Sequence, residues 1–453
     1  MSLAPPSLTE QLAQRLVQPV DQAARQRAAA LVVDWLGCAL GALRYPMAQQ
    51  LRSVLEGQGR GRCATLGVGL REIGDALLQN GALGDVLEMD DVHRAAILHP
   101  GPVVIPVALA AVQQAGGTGH DLLDAVVRGY EATIRIGRAL GTSHYRYWHP
   151  TSTAGAFGAA AAAASVLGLE ADQLADALGT AGSRTGGLWQ MRHESVPTKS
   201  LHNAQAAHSG WQAAVLARAG LRGPRRILEG EQGLFAATAP QADAQAVIAD
   251  EADWLIHSTS LKPWPACRHA HPSIDAMRDA LAQRTEGDDT PIERITVASY
   301  AEALRFCDRA EPVTELQAKF SLQHALASIV VHGRPQLSHY TEAACADPQV
   351  AAWRAKVTVS EDAGCSARFP QHYGASVQVH LADGRVLAAE RIDAWGDPEQ
   401  PMAQADVDAK ALSLAQWGGV DAALAQRLIG QVRALVDGGS LDGLNDVLLQ
   451  VRA

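Results

Sequence analysis

Apolar side chains recur at steps of three and four residues through the first 255 residues, which is the spacing of one buried helix face. The pattern is clearest in residues 117–141, where Leu122, Val126 and Ile134 share a face and Gly141 is placed to end the helix. The same spacing predicts further helices at residues 24–42, 102–115, 158–168, 171–181 and 204–220. The sequence is therefore predicted to fold as a mainly α protein.

Strand-like alternation is confined to a later part of the chain. It predicts strands at residues 292–300 and 355–362, and a hairpin over 375–392 that turns at Asp383-Gly384. Helical spacing lies between these strands and returns after Pro398.

This order predicts a chain whose two ends share one domain. We expect the first part of a helical domain at residues 1–259, an α+β domain at 260–397, and the C-terminal part of the helical domain at 398–453. Such an arrangement normally leaves a cleft between the domains, where ligands often bind.

Composition excludes several classes of function. The 38 basic and 48 acidic residues give a net charge of -10 without a basic run, which argues against a nucleic-acid or anionic membrane partner. The six cysteines contain no C-x-x-C pair, and the N-terminus lacks a basic region followed by an apolar core. We expect a reduced, soluble, cytoplasmic protein that acts on a small molecule.

Residues 87–102, LEMDDVHRAAILHPGP, combine carboxylates and histidines in a mostly apolar stretch: Glu88, Asp90, Asp91, His93 and His99. A metal site, a solvated helix end and an acid/base centre are all open. The spacing matches no strong zinc or iron pattern. A histidine just before Pro100, with carboxylates close by to orient it or raise its pKa, suits general acid/base catalysis.

Two further stretches place polar groups beside Ala-rich helices. His149 precedes Thr151 and Ser152 at a predicted helix start, where hydroxyls cap the helix and free N–H groups can bind an anion. Lys199 stands before a second Ala-rich helix. Each is also typical of ordinary structure, the first of a plain helix cap and the second of a solvated lysine.

A fourth stretch, residues 260–277, is rich in positive charge beside two prolines. Lys262, Arg268 and His271 suit the binding of substrate carboxylates, although a surface turn has the same composition. Cys267 lies among these cations, which leaves a nucleophilic thiol open. Thiol reactivity depends on a lowered pKa, which a sequence does not show.

Five separated stretches occur together in a fixed order: NGALGDVLEMDDVHR, WHPTSTAGAFGAAAAAASVLGL, PTKSLHNAQAAHSGW, KPWPACRHAHPSIDAM and AKFSLQHALASIVVHG. With them the sequence resembles the MmgE/PrpD family over almost its whole length. The resemblance implies a homodimer whose subunits have a large all-helical domain built from both chain ends and a smaller inserted α+β lid domain. It also implies an active site between these domains and a small polycarboxylate substrate.

The resemblance assigns roles to individual residues. The matching catalytic positions are Asp90, Asp91, His99, His149, Lys199 and Lys262. The expected substrate-binding positions are Glu88, Thr151, Ser152, Cys267, Arg268, His271 and His324. His93 matches no family motif position. No metal or other cofactor is expected, because iron–sulfur dehydratases hold their cluster with several cysteine thiolates and the cysteines here are dispersed.

Four positions depart from the family's lyases. Glu88 stands where several have Asp, Val92 where they often have Thr, His324 where the cis-aconitate decarboxylase has Tyr, and Cys267 where that enzyme has His. The sequences around Cys267 and His149 are more similar to those of the iminodisuccinate epimerase. Decarboxylation is therefore the least expected of the family's activities.

The leading expectation is a cofactor-independent lyase that removes a proton next to a carboxylate and eliminates water, as 2-methylcitrate dehydratase does. The alternative is an epimerase of an imino- or amino-dicarboxylate. A non-catalytic carboxylate-binding protein is the hypothesis from a different class. Catalysis would need cations around the carboxylate and a base, for which His99 or His149 is suited.

Overall fold

The computed structural model describes residues 5–194 and 196–452. Within them the chain divides into two compact units. The first unit runs up to Thr259 and resumes at Ala403, and the second unit is Ser260–Met402.

Helices make up most of the regular structure. In chain order they are α1 (Leu8–Leu16), α2 (Gln22–Gly41), α3 (Pro46–Leu55), α4 (Ile73–Leu83), α5 (Gly101–Ala115), α6 (Gly119–Tyr145), α7 (Pro150–Val166), α8 (Ala171–Gly182), α9 (Met191–Glu194), α10 (Thr198–Arg218), α11 (Leu234–Thr238), α12 (Gln245–Ile248), α13 (His271–Leu281), α14 (Ala301–Cys307), α15 (Glu315–Lys319), α16 (Leu322–His332), α17 (Glu342–Cys345), α18 (Pro348–Arg354), α19 (Ala363–Arg368), α20 (Gln404–Trp417), α21 (Ala422–Ala434) and α22 (Asp442–Leu448). The strands are β1 (Cys63–Thr65), β2 (Gly69–Arg71), β3 (Ile292–Ser299), β4 (Val357–Glu361), β5 (Ala375–Leu381) and β6 (Val386–Arg391). The prediction of a mainly α protein is confirmed.

The Ala-rich helix α7 lies at the centre of the first unit. It is buried from Pro150 to Ala164, and α5, α6, α8 and α10 pack against it. Small side chains let the helix backbones approach closely. A Cβ added at Gly158 would lie 1.8 Å from Thr133 Oγ1 and 2.6 Å from the Gly129 carbonyl oxygen of α6. Only glycine fits at this helix crossing.

One helical segment in the described part of the chain, Gln22–Arg44, is long and apolar enough to cross a membrane. Inside the protein, 83% of its most apolar window is buried. A core helix of a soluble protein passes the same test of length and composition. In this structure the segment packs against α6 and α20.

The helix break predicted at Gly141 is confirmed. Gly141 has φ 62° and ψ -166°, so α6 is interrupted there and helical structure resumes up to Tyr145. A positive φ of this kind favours glycine. The break turns the chain shortly before His149, the residue that precedes α7.

The second unit is a four-stranded sheet covered by helices. The strand order is β4-β3-β5-β6, with β3 and β4 parallel and the other neighbours antiparallel. Helix α13 packs on β5 and β6, and α16 packs on α13 and β4. The strands predicted at 292–300 and 355–362 and the hairpin over 375–392 are confirmed, with Gly384 at φ 85° in the turn.

The expectation that the helical domain is all-helical is wrong. Strands β1 and β2 of the first unit form an antiparallel pair. Each has only three residues, which is too short for an alternating pattern to be read from sequence. Gly67 and Gly69 have φ of 74° and 101°, and these glycines are the signal that could have indicated the turn.

The close crossing of α6 and α7 gives a test of packing. We predict that Gly158→Ala lowers the free energy of unfolding by ~1–3 kcal/mol, because the new Cβ overlaps Thr133 and the backbone of Gly129. Gly430→Ala, in the interior of α21 with open space around its Cβ position, should raise it by ~0.5–1 kcal/mol. Chemical denaturation measures both, and equal effects would contradict the proposed crossing.

Candidate active site

The acidic residues of the stretch 87–102 lie in a loop between two helices of the first unit. We call this loop, residues 84–100, the acidic loop. Helix α4 ends at Leu83 and α5 begins at Gly101, with no helix between them. Glu88, Asp90 and Asp91 are all buried. Their burial excludes the interpretation of this stretch as a solvated helix end.

Two residues of this loop hold a left-handed backbone conformation. The φ angle is 56° at Glu88 and 52° at Ile97. Residues that carry a side chain enter this region at a cost of ~1–3 kcal/mol, and such conformations cluster at functional sites. At Glu88 the conformation is accompanied by an ion pair between the carboxylate and Lys199.

His99 is paired with a buried carboxylate. Its Nδ1 lies 2.8 Å from Asp90 Oδ2, and 19% of the His99 side chain is accessible against 1% for Asp90. The His99 backbone N–H donates to Thr151 Oγ1 at 3.1 Å, which joins the loop to α7. A carboxylate on Nδ1 fixes the orientation of the ring and leaves Nε2 to exchange a proton.

Lys199 lies in the first turn of α10 and contacts the acidic loop. It forms an ion pair with Glu88, and its Nζ lies 3.5 Å from Asp85 Oδ2. Burial acts to lower the Lys199 pKa, but Glu88, Asp85 and Asp90 outweigh burial and hold the pKa above the ordinary lysine value. Sequence reasoning missed Asp85, which lies two residues before the stretch that was singled out.

His149 is buried at the start of α7. Its Nδ1 lies 3.3 Å from His202 Nδ1, and its backbone N–H donates to the Gly187 carbonyl at 2.9 Å. Burial, followed by the charges of Lys199, His202 and His99, holds the pKa of His149 well below its ordinary value. The His149 ring is therefore neutral at pH 7.

The start of α7 differs from the prediction that hydroxyls cap the helix. His149 is the N-cap residue, and its carbonyl accepts the Ser152 N–H. Thr151 and Ser152 are inside the first turn, where their hydroxyls are directed to other segments. Thr151 Oγ1 accepts the His99 N–H, and Ser152 Oγ donates to the His202 carbonyl at 3.2 Å. These hydroxyls join the acidic loop and α10 to α7.

Asp91 holds the beginning of α5. Its Oδ1 accepts the Gly101 N–H at 3.1 Å, and a Cβ at Gly101 would lie 2.2 Å from that oxygen. Burial first, then the neighbouring Asp90 and Asp34, raise the pKa of Asp91 to about 8. Asp91 is thus largely protonated at pH 7, and its direct contacts are structural.

A lysine of α20, in the C-terminal part of the chain, contacts both α2 and the acidic loop. The buried Lys410 Nζ lies 2.6 Å from Asp34 Oδ1 and donates to the Met89 carbonyl at 2.6 Å. Sequence reasoning missed both Lys410 and Asp34. The i,i+4 rules for helices do not relate residues 376 positions apart.

His93 has a structural role. It is buried, its Nε2 lies 2.9 Å from Ser258 Oγ, and its Nδ1 accepts the Ala96 N–H at 3.2 Å. Burial lowers the pKa of His93 to about 3. Both ring nitrogens are engaged, so His93 does not belong to the group of proton carriers.

In the second unit, the predicted cation Arg268 is matched by a buried carboxylate. Arg268 forms an ion pair with Asp397, which also accepts the Ser260 hydroxyl at 2.6 Å and the Ala394 N–H at 3.0 Å. Lys262 is buried in the same unit. Sequence reasoning missed Asp397, whose isolated Asp-Pro context is typical of a turn.

Three other predicted positions of the second unit are held by backbone groups. The Cys267 N–H donates to the Lys319 carbonyl at 2.8 Å, and Cys267 is half-buried. His271 Nε2 lies 2.9 Å from the Ala266 carbonyl oxygen. His324 is buried with its Nε2 2.8 Å from the His339 carbonyl oxygen. Burial lowers the pKa of His324 to about 4. Substrate binding by these residues stays a prediction.

Comparison with known sequences covers both units. Residues 7–246 match the MmgE/PrpD N-terminal domain, and residues 264–435 match the MmgE/PrpD C-terminal domain. The chain belongs to the MmgE/PrpD family. The resemblance inferred from the five motifs is confirmed.

Curated relatives of this MmgE/PrpD protein are lyases of two kinds. It is 27% identical to the cis-aconitate decarboxylase of Homo sapiens over 362 residues, which are 76% of this chain and 74% of the relative. It is 33% identical to the cis-aconitate decarboxylase-like protein oryM of Aspergillus oryzae over 222 residues, 46% of each chain. It is 25% identical to the 2-methylcitrate dehydratase of Cupriavidus necator over 240 residues, 50% of this chain and 49% of the relative. The last two alignments span about half of each relative.

One group in the described residues has the spacing of a metal site. His372, Asp393 and Glu399 of the second unit place one ligand atom each within 4.8 Å of one another. His372 Nδ1 lies 2.8 Å from Asp393 Oδ1. None of the site residues expected for this MmgE/PrpD protein belongs to this group.

The raised pKa of Asp91 gives a test through the pH dependence of stability. The folded protein keeps this proton up to about pH 8, whereas an unfolded Asp loses it near pH 4. Across this window Asp91 therefore lowers the free energy of unfolding as pH rises, by up to ~1.4 kcal/mol per pH unit. Asp91→Asn removes this contribution, so the variant should gain stability relative to the wild type between pH 5 and 8.

Denaturation at several pH values measures this gain, and Asp446→Asn is the matched control. Asp446 is exposed on α22, so its variant should differ from the wild type by a constant amount. A stability difference for Asp91→Asn that stays flat with pH would contradict the assignment of a buried proton to Asp91.

Proposed function

We propose that this MmgE/PrpD protein is a lyase that removes a proton next to a carboxylate of a small polycarboxylate and eliminates water, as a 2-methylcitrate dehydratase does. The observation that carries the proposal is the His99–Asp90 pair, a partly accessible imidazole oriented by a buried carboxylate. That arrangement suits a general base. It lies near a second imidazole, His149, whose pKa is influenced by the charges of His99 and Lys199.

The proposed first step takes the substrate proton onto His99 Nε2. Asp90, on Nδ1, stabilises the imidazolium that forms. The carbanion puts charge onto the substrate carboxylate, and Lys199 is the cation of this cluster that can stabilise it. His149 then supplies the proton that the leaving hydroxyl group needs. The reverse assignment of the two histidines gives the same overall reaction.

Protonation of the buried Asp91 favours an anionic substrate. Burial raises the pKa of Asp91 to about 8 and also raises the pKa of Asp85. The acidic loop therefore carries less negative charge at pH 7 than its composition indicates. This lowers the repulsion between the loop and a polycarboxylate.

Two other reactions that pass through a carbanion next to a carboxylate compete with dehydration. Return of the proton to the opposite face would give an epimerase. The sequence around Cys267, which is similar to that of the iminodisuccinate epimerase, favours this activity. Loss of carbon dioxide would itself generate the carbanion, and protonation of that carbanion by a histidine would give a decarboxylase. Cis-aconitate decarboxylases are among the relatives, but the Tyr of that enzyme is replaced by His324, which is buried against a backbone carbonyl. Dehydration is therefore preferred.

A substrate panel in D₂O tests the proposed function. The purified protein is incubated with 2-methylcitrate, citrate, cis-aconitate and iminodisuccinate, and proton NMR follows each compound. Loss of water from 2-methylcitrate is expected, and treatment with a chelator should leave the rate unchanged. Deuterium uptake with racemisation would identify the epimerase instead, and carbon dioxide release the decarboxylase. Binding without hydrogen exchange across the panel would contradict catalysis.

Removal of the base should slow the active reaction. His99→Ala is expected to lower kcat by ~10²–10⁴, the usual contribution of a positioned general base. His193→Ala, an exposed histidine on α9, is the control and should keep the wild-type rate. Steady-state kinetics measure both variants, and a wild-type kcat for His99→Ala would refute the role of His99.

We also propose that two copies of the chain associate. The proposal rests on the family resemblance and on exposed apolar side chains near α7 and α10, namely Tyr147, Leu188, Val196 and Leu201. Backbone pairing of Trp148 with Leu188, and a hydrogen bond from the Trp189 N–H to the Tyr147 carbonyl at 3.0 Å, bring the segments that carry Tyr147 and Leu188 side by side. Light scattering after gel filtration should give twice the mass of the 47.8 kDa chain. Leu188→Asp should favour the monomer, whereas the exposed Val386→Asp of the second unit should not.

A further inference from the structure

His149 and His202 make an unusual contact through equivalent ring nitrogens. Their Nδ1 atoms are 3.3 Å apart, with ring centroids at 5.5 Å. Two imidazole nitrogens can share a hydrogen bond only if one carries the proton and the other offers its lone pair. The two neutral rings therefore hold one proton between their Nδ1 atoms.

The other nitrogen of His149 has no such partner. His149 Nε2 is buried and makes no hydrogen bond to any described residue. The Trp189 ring covers His149 with a centroid distance of 4.5 Å. A buried polar atom without a partner is uncommon in proteins and calls for a ligand or a chemical role. Nε2 is thus the atom of His149 that is available to a substrate.

A glycine next to the two rings leaves room for their close contact. Gly187 has φ 114°, and a Cβ there would lie 2.9 Å from Ser152 Cβ and 3.3 Å from His202 Nδ1. Any larger residue would displace the His202 ring. The Ser152 hydroxyl also donates to the His202 carbonyl, so both the side chain and the backbone of His202 are fixed against α7.

The nearby positive charge of Lys199 makes it unfavourable for His149 to accept a proton without losing another. A proton added to Nε2 would create a buried imidazolium beside the permanent cation Lys199. Burial and the Lys199 charge hold the pKa of His149 well below its ordinary value, in agreement with this argument. The cost disappears if a second proton leaves the ring as the first arrives.

We propose that His149 and His202 form a two-ring proton relay between the buried site and solvent. His202 is half-buried, one turn after Lys199 on α10, whereas His149 is 1% exposed, so His202 is the more exposed ring of the pair. The relay rests on the proposed function, in which His149 exchanges a proton with the substrate.

The relay conserves protons, because one proton leaves the pair of rings for each proton that enters it. When His149 Nε2 takes a proton, its Nδ1 proton passes to His202 Nδ1, and His202 Nε2 releases a proton to water. When His149 Nε2 gives a proton to a leaving hydroxyl, every transfer runs in reverse. Both rings are neutral before and after each transfer. The position of the single shared proton decides whether His149 is an acid or a base.

The variant His202→Asn tests the relay in the full-length protein with 2-methylcitrate. Asn keeps a polar side chain but has no second nitrogen that can pass a proton onward. We expect kcat to fall by ~10–100-fold with KM changed less than about threefold, and added imidazole to restore part of the rate. The ratio of substrate hydrogen exchange in D₂O to net turnover should also change, because His149 can no longer exchange its proton with solvent.

His208→Asn is the matched control, because His208 lies on the same helix and contacts Gln212 instead of His149. It should match the wild type in every measurement. A wild-type kcat and exchange ratio for His202→Asn would overturn the relay. So would a loss of rate that imidazole does not restore and that is accompanied by a raised KM and a lowered melting temperature, since that result indicates a structural role.

A measurement without substrate separates the relay from the proposed function. Selective ¹⁵N labelling of the histidines reports the tautomer of each neutral ring by NMR. The relay predicts two neutral rings of opposite tautomer at pH 7. The His149 signals should be perturbed in His202→Asn, which lacks the second ring, and the signals of both rings should be unchanged in His208→Asn. An imidazolium at either ring would refute it. If the wild-type protein is inactive on the whole panel, the proposed function fails while this spectrum still decides the relay.

Discussion

The acidic loop depends on one buried cation. Lys410 of α20 binds Asp34 of α2 and the Met89 carbonyl, and both distances are 2.6 Å. Burial acts to lower the pKa of Lys410, but Asp34 outweighs burial and raises it. Removal of the lysine would leave a buried carboxylate without a partner, which typically costs ~3–5 kcal/mol. Met89 lies between Glu88 and Asp90, so the contact supports the two residues that face Lys199 and His99.

The first unit stabilises its buried carboxylates in three different ways. Glu88 and Asp34 have lysine partners, whereas Asp91 keeps a proton because its pKa is raised to about 8. Asp90 has the imidazole of His99 as its partner. Neighbouring carboxylates of one loop are thus stabilised by a lysine, an imidazole and a retained proton.

Local patterns predicted much of the fold. Helix periodicity identified α2, α5, α6, α7, α8 and α10, and alternation identified the four strands of the second unit. The missed hairpin has strands of three residues, for which no period can be read. Motifs also singled out His99, His149 and Lys199 as candidate site residues, because each stands out chemically from an apolar or Ala-rich surrounding. What sequence alone could not give was the partner of each group.

Those partners lie far away along the chain or in unremarkable contexts. Asp34 and Lys410 are 376 positions apart, and each is one charged residue on a helix of ordinary composition. His202 lay within a stretch already singled out, but only the fold brings its Nδ1 to His149, 53 positions earlier. Tertiary packing decides which residues pair across such separations. Helix periodicity and propensity describe only local structure, so they do not predict these pairs.

The contact between Lys410 and Asp34 also has a consequence for biosynthesis. A ribosome makes Asp34 and the acidic loop early, but Lys410 is added only after the whole second unit, Ser260–Met402, has been synthesised. Until then the Asp34 carboxylate lacks the lysine to which it is bonded in the folded chain. The nascent first unit must wait for Lys410 to complete its acidic loop, so the second unit can fold before the first one is finished.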